Sequence, residues 1–471
     1  MDSPTEVLAQ YIVDVDFVDF PDEVIKKAKM CILDSLGCAL GGYASEPGLN
    51  VANLMGTLGG RRDGTVLGSG TKAALPNAAL ANTYMANILD YDDTYRGHPG
   101  CTVVHPALAG GEMVHASGRQ LLTAAIVGYE VHSRVAEAMY VAPETIDKIS
   151  GVAPQTFGSV ASVSKIISLD LDGVLDAMGV AGATAPVQSN SKTGGAENVP
   201  PTMKVGFYAC SLVGTLSALM AQSKVTGPHN ILDGDTGFWR MIGADRCDFD
   251  RLTHDLGKEY EILNVAFKPY SCCRWFHSSL DALAAIMQEH KVRFEDVRKF
   301  QVQTMGGKRD LEYMKNPRPS NFVAAEFSLP YSMAVMLGGL KPGPDWISSK
   351  SMNDRAILEM ASKGECTFQQ KSAKSGSPDD VHKWPATVKL TLKDGSALSK
   401  HVDYPKGSPR NMLTGQELEA KFLNLSTHIL SEENARAVLE MVKHLEDVVE
   451  IGEITKLCTK NVEKVAVTTS S

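Results

Sequence analysis

The sequence predicts a mainly α-helical protein carrying a smaller α+β lid, and three observations predict it. Apolar residues recur at helical spacing through the first 267 residues. Strict alternation with an Asp-Gly turn is confined to residues 268–404, and helical texture returns after Pro405. A chain of 471 residues is also too long for one ordinary core. The expected organisation is a helical domain over residues 1–267, a lid over 268–404, and a segment over 405–471 that completes the helical domain.

Each element has a local reason. Pro21-Asp22-Glu23 opens the first clear helix, with acids at the positive end of the dipole. Ile25, Ala28, Ile32 and Leu36 follow at helical spacing, and Gly41-Gly42 is expected to stop it. Helices are predicted over 121–139, 158–167, 174–181 and 207–222, rich in Ala, Leu, Val and Met with small residues that permit close packing. The polar stretch 189–201 is predicted to be a mobile loop. In the lid, 300–304 and 387–392 alternate as half-buried strands do. Asp394-Gly395 turns the second back into 397–402, and helices are predicted over 278–289 and 329–337. Thr414-Gly415-Gln416-Glu417 is a capping box, leading into helices over 418–425 and 434–445.

Composition narrows the function classes. A 44% hydrophobic and 21% charged chain is typical of a globular protein, and no apolar run reaches the length of a bilayer span. The N-terminus has neither a secretory pattern nor the arginine-rich, acid-poor character of a transit peptide, so the expected address is cytoplasmic, with mitochondria left open. Net charge is −9 with no basic stripe, which excludes the footprint of a nucleic-acid binder. A pocket inside an acidic protein can still be locally cationic. The nine cysteines are odd in number and form no CxxC pair. Disulfides, a zinc site and an iron–sulfur cluster are therefore not expected, and a reducing compartment is.

Two clusters concentrate chemistry. Asp90, Asp92, Asp93, Thr94, Arg96 and His98 fall within nine residues, enough for a general base and acid beside an anion-binding group. The same residue types suit a metal, and the plain structural reading is a loop whose acids only cap helices. The second cluster, Lys268, Arg274 and His277 among Tyr270, Trp275 and Phe276, suits a carboxylate clamp at the domain junction. Against that, Cys272-Cys273 reads as core, and a lone histidine such as His277 is more often a satisfied buried group. Lys204 precedes an apolar helix and is equally consistent with ordinary surface; Tyr331 is either a proton donor or a core aromatic. Gly68-Ser69-Gly70-Thr71-Lys72-Ala73 imitates a dinucleotide fingerprint, with Asp90 in the place of a ribose ligand. Pro76 interrupts the helix that fingerprint needs, and no long strand precedes it, so a nicotinamide cofactor is not expected.

Taken in order, these segments resemble the MmgE/PrpD family. The resemblance runs through residues 32–38, LDYDDTYRGHPG, TGPHNILDGDTGFW, FKPYSCCRWFHSSLDA, AAEFSLPYSMAV and the stretch from Thr391 to Phe422. It implies a large helical domain with an α/β lid, a homodimer, and chemistry without metal, nucleotide or cluster. By motif it implies functional roles for Asp90, Thr94, His98, Lys204, Lys268, His277 and Tyr331. Arg274 and Arg96 are added here as substrate-binding candidates from their clusters. Two departures stand out: the Thr94–His98 spacing is short, leaving His105 as a substitute, and Ala153 occupies the place of a histidine in a GxHP-type segment.

The resemblance implies a small polycarboxylic acid as substrate and a lyase as the activity. Ala153 and the Lys204-Val205-Gly206-Phe207 sequence tilt the expectation toward dehydration of a 2-alkylcitrate-like acid. Decarboxylation of cis-aconitate or an alkyl-aconitate is the alternative. Epimerisation of a dicarboxylic imino acid, or an inactive acid-binding relative, are further readings.

Overall fold

The computed structural model describes residues 3–142, 151–193, 200–306, 312–370 and 381–460. Its helical body begins with α1 (Pro4–Asp14), α2 (Asp22–Tyr43) and α3 (Glu46–Thr57). Pro21 is the N-cap of α2, and Gly41-Gly42 lie in its last turn, one residue before its end at Tyr43. The two glycines are also contact points. A Cβ on Gly42 would lie 1.9 Å from the Met85 carbonyl oxygen, and one on Gly41 would lie 2.6 Å from a Leu425 methyl. Helices cross here at a spacing that only glycine permits.

The dinucleotide look-alike is a hairpin of β1 (Gly64–Val66) and β2 (Thr71–Ala73), with Gly68 and Gly70 at φ of 78° and 73° in the turn. Pro76 does not interrupt a helix; it sits in the first turn of α4 (Leu75–Asn87), where a proline lacks no needed N–H. α5 (Pro99–Val114) is buried along nearly its whole length, as is much of α6 (Gly118–Ala138), so both are central core helices. α7 (Gln155–Ile166), α8 (Leu171–Thr184) and α9 (Phe207–Gln222) pack around them. Part of the 189–201 loop, residues 194–199, lies outside the described residues.

The smaller α+β part holds α10 (His277–His290), α11 (Leu329–Leu337) and a four-stranded sheet. Its strands are β3 (Val297–Gly306), β4 (Gly364–Gln370), β5 (Ala386–Leu392) and β6 (Ala397–Val402), in the order β4-β3-β5-β6. β4 runs parallel to β3, and β5 antiparallel with Val302 opposite Val388. Gly395, at φ 89°, turns β5 into β6 with Leu390 opposite Leu398. Phe300, Val302 and Thr304 share the buried face of β3, as the alternation requires, and Val297 is also buried across a register shift between Val297 and Lys299.

The chain then returns to the helical body. α12 (Gly415–Ser426), opened by the Thr414/Glu417 capping box, packs against α2, with Phe422 seated on Gly37. α13 (Glu432–Lys443) follows it. Among the described residues no helix is long and apolar enough to cross a membrane.

Candidate active site

α4 ends at Asn87 and α5 begins at Pro99, with His98 at its N-cap. The segment between them is pinned on every side. Thr94 and Ala266 exchange backbone hydrogen bonds of 2.8 and 3.0 Å, and the Thr94 hydroxyl donates to the Gly97 carbonyl at 2.9 Å. Its three carboxylates turn to three different sets of partners. Asp93 accepts from the Tyr129 hydroxyl at 2.5 Å and from the Gly100 amide at 2.8 Å. Burial and the neighbouring Asp34 push its pKa up to about 7. Asp92 lies 2.9 Å from His98 Nδ1 and accepts from the Asn87 amide at 3.1 Å. Burial raises its pKa, but His98, Lys268 and Lys204 together outweigh this and the net direction is down.

Asp90 carries the centre of the site. Its backbone adopts φ 46°, a left-handed conformation uncommon for a residue with a side chain. Lys268 Nζ donates to Asp90 Oδ2 at 3.0 Å and to the Asp90 carbonyl at 2.9 Å. Lys204 Nζ lies 3.3 Å from Asp90 Oδ1, and His98 Nε2 lies 4.0 Å from the same oxygen. Burial works against the Asp90 anion, yet the two ammonium groups hold its carboxyl well below the usual carboxylate range. Lys204, itself at φ 56°, also donates to the Asn87 carbonyl. Its other acidic neighbour is Glu326, at 3.1 Å, close enough for an ion pair but not aligned as a hydrogen bond. Burial pushes the Glu326 carboxyl well above its ordinary value, and the attraction of Lys204 offsets only part of this. The side chains of Asp90, Lys204, Lys268 and Glu326 are each no more than 4% exposed.

A third lysine completes the frame. Lys421, on α12, donates to the Tyr91 carbonyl at 2.6 Å and to Asp34 at 2.6 Å, with its ammonium 4.0 Å from the centre of the Tyr91 ring. Lys204, Lys268 and Lys421 thus come from distant parts of the chain and bond the carbonyls of Asn87, Asp90 and Tyr91. They place positive charge where α4 presents the negative end of its dipole.

The remaining candidates divide. His277 is fully buried, 3.2 Å from Arg274 Nη1 through Nδ1 and 3.2 Å from the Cys272 carbonyl through Nε2. Arg274 can only donate, so Nδ1 is the acceptor and Nε2 carries the proton. Burial, then the adjacent Arg274 and Lys268, keep the ring neutral. Arg274 also donates to the Lys406 carbonyl at 2.8 Å, fastening the 268–277 segment to the start of the C-terminal stretch. The structure does not bring Arg96 or Tyr331 onto the Asp90 group by any hydrogen bond or ion pair. Arg96 pairs with Glu137 at the surface, and the Tyr331 hydroxyl donates to the Trp346 carbonyl at 2.8 Å. His105 bonds Ser35 at 3.0 Å inside the helical body, while His98 faces Asp90 and Asp92 and has the Phe207 ring 4.9 Å away. Ala153 lies in the turn before α7, two residues from Gln155, whose Oε1 accepts the His98 backbone N–H at 3.1 Å.

Sequence reading missed Glu326, Asn87, Gln155 and Lys421. Glu326 had a usable signal: a single acid inside the otherwise uncharged stretch from Asn321 to Leu340. The others looked like ordinary polar residues of helices or their ends.

A helical body and an α/β unit thus meet at a sealed group of lysines and carboxylates. The chain belongs to the MmgE/PrpD family, whose N-terminal domain matches residues 6–249 and whose C-terminal domain matches residues 270–447. Among its relatives, the cis-aconitate decarboxylase of Homo sapiens is 26% identical over 480 residues, covering 97% of this chain and 94% of that protein. The cis-aconitate decarboxylase of Aspergillus terreus is 23% identical over 472 residues, covering 93% of this chain and 92% of that protein. The mitochondrial 2-methylcitrate dehydratase of Yarrowia lipolytica is 23% identical over 438 residues, covering 86% and 80%.

Proposed function

We propose that this chain is a lyase acting on a small citrate- or aconitate-like polycarboxylic acid, and that its reaction is dehydration. The observation that carries this reading is the Asp90 carboxylate held between Lys204 and Lys268, with His98 beside it. The two lysines receive carboxylates of the substrate, each cation offsetting the desolvation of an anion. Asp90, or His98 backed by Asp92, takes the proton next to a carboxylate. The same lysines stabilise the negative charge that develops on that carboxylate.

Loss of hydroxide needs a proton donor, and Glu326 fits the role best. Burial pushes its carboxyl well above the ordinary value beside Lys204, the direction an acid needs, whereas the hydroxyl of Tyr331 and both ring nitrogens of His277 are bonded elsewhere. None of these steps draws on more than the side chains named. We also infer that the protein works as a homodimer, which light scattering tests.

A second reading, decarboxylation, is favoured by the near full-length similarity to cis-aconitate decarboxylases. There the carbanion left by carbon dioxide would take its proton from one of the same acids. A proton NMR time course with citrate, 2-methylcitrate and cis-aconitate separates the two. An unsaturated tricarboxylate formed from either citrate is the expected result. Itaconate formed from cis-aconitate, with no change in the citrates, would replace dehydration by decarboxylation.

A further inference from the structure

The central ion group poses a problem for any substrate. Both cations suited to receive a carboxylate are already engaged, Lys268 at 3.0 Å and Lys204 at 3.3 Å, and by the same side chain, Asp90. All three are sealed from solvent. Lys268 approaches Asp90 Oδ2 and Lys204 approaches Oδ1, so the carboxylate is gripped through both oxygens, as a bound ligand's carboxylate would be. Glu326 adds a second acid on the far side of Lys204. A polyanion arriving at this site meets an anion already seated on its cations.

We propose that Asp90 is the internal occupant of the anion-binding site, and that a polycarboxylate binds by taking Lys204 and Lys268 from it. Three features support the exchange. Each lysine keeps a backbone anchor that is independent of the Asp90 carboxylate: Lys204 on the Asn87 carbonyl and Lys268 on the Asp90 carbonyl. Neither ammonium therefore has to travel far when its partner changes. Asp90 and Lys204 also both hold left-handed backbone conformations, at φ 46° and 56°, the kind of strained backbone that collects at ligand sites. Finally, His98 Nε2 stands 4.0 Å from Asp90 Oδ1 and provides a partner for the displaced carboxylate.

The exchange has a chemical consequence. While two ammonium groups hold it, Asp90 is a poor base; a carboxylate gains basicity when neighbouring cations turn to another anion. Binding of the substrate thus prepares the base that acts on it. This inference rests on the assignment of Asp90, Lys204 and Lys268 to the substrate site. The test is chosen to separate the two.

The probe is tricarballylate, a saturated tricarboxylate with no hydroxyl to lose, and calorimetry reads its binding to the wild-type protein and to Asp90→Asn. Removing the internal anion should tighten binding by ~10-fold or more while turnover is lost, because ligand and lysines no longer compete with a charge at contact distance. Equal or weaker binding by Asp90→Asn overturns the exchange, even if the wild type dehydrates a citrate normally. If Asp90→Asn fails to fold, a crystal structure of the wild type with tricarballylate decides. Lys204 and Lys268 bonded to the ligand and withdrawn from Asp90 support the proposal. The same lysines still on Asp90, with the ligand bound, overturn it. Wild-type protein that shows the exchange with tricarballylate, yet turns over no tricarboxylate, would instead fail the proposed reaction and leave the exchange standing.

Discussion

Lys421→Met should destabilise the protein far more than the loss of one lysine from a helix surface. The ammonium is buried, bonded at 2.6 Å to Asp34 and at 2.6 Å to the Tyr91 carbonyl, and it faces the Tyr91 ring. Methionine keeps most of the stem's packing but leaves Asp34, itself about 2% exposed, without its counter-ion. Removing one partner of a buried pair typically costs about 3–5 kcal/mol, most of it the desolvation of the charge left behind. Burial already raises the Asp34 pKa, with Lys421 offsetting only part of it. Without Lys421 the carboxyl escapes by taking a proton, so the loss should be smaller at pH 5 than at pH 8. Replacing both partners, as in Asp34→Leu/Lys421→Met, should recover stability to within about 1–2 kcal/mol of wild type. Urea unfolding of the three variants at both pH values provides the check. A loss below about 1 kcal/mol in Lys421→Met, or a double variant less stable than the single, would refute the reasoning.

The other expectations concern pH, packing and a hydroxyl. Asp93 and Glu130 are both raised to about 7 in the folded protein, so they hold protons that the unfolded chain has released above about pH 4 to 5. Their contribution is complete below the unfolded pKa and is lost as pH rises toward 7, at up to ~1.4 kcal/mol per pH unit for each group. Asp93→Asn should therefore show a shallower fall in urea midpoint between pH 5 and 7.5 than wild type; an equal fall would contradict the assignment. Gly42→Ala should cost ~3 kcal/mol or more, because its methyl meets the Met85 carbonyl backbone, which has little room to yield. A thermal melt within a degree of wild type would count against the close helix crossing. Tyr331→Phe should lose about 1 kcal/mol from the bond to the Trp346 carbonyl and keep kcat within a few-fold. A hundredfold fall in kcat would restore Tyr331 to the proton-donor role.

Local patterns carried much of the fold. The spacing of Ile25, Ala28, Ile32 and Leu36 marked α2, the alternation at 300–304 and 387–392 marked β3 and β5, and Asp394-Gly395 marked the hairpin from β5 to β6. What failed was punctuation. Pro76 looked like a break, because a single sequence does not show whether a proline interrupts a helix or opens one. β4 was missed because its pairing with β3 is parallel and arrives after a long crossover, with no turn beside it to announce it. In the site, Asp90, His98, Lys204 and Lys268 were legible as charges in suggestive company. Their mutual pairing was not, since Lys204, Lys268 and Lys421 reach the 87–91 segment from more than a hundred residues away. Arg96 shows the converse: its cluster neighbours are adjacent in sequence, yet its side chain pairs outward with Glu137.

The most direct test of the account is the turnover of citrate, 2-methylcitrate and cis-aconitate by wild type, Asp90→Asn and Lys268→Met, each first shown to fold by circular dichroism. The wild type should turn over at least one of these tricarboxylates. Each variant should lose about 10²-fold or more in kcat/KM, from removal of the base and of one carboxylate-binding cation. Folded variants that retain wild-type kcat/KM would show that the chemistry lies outside the Asp90, Lys204 and Lys268 group.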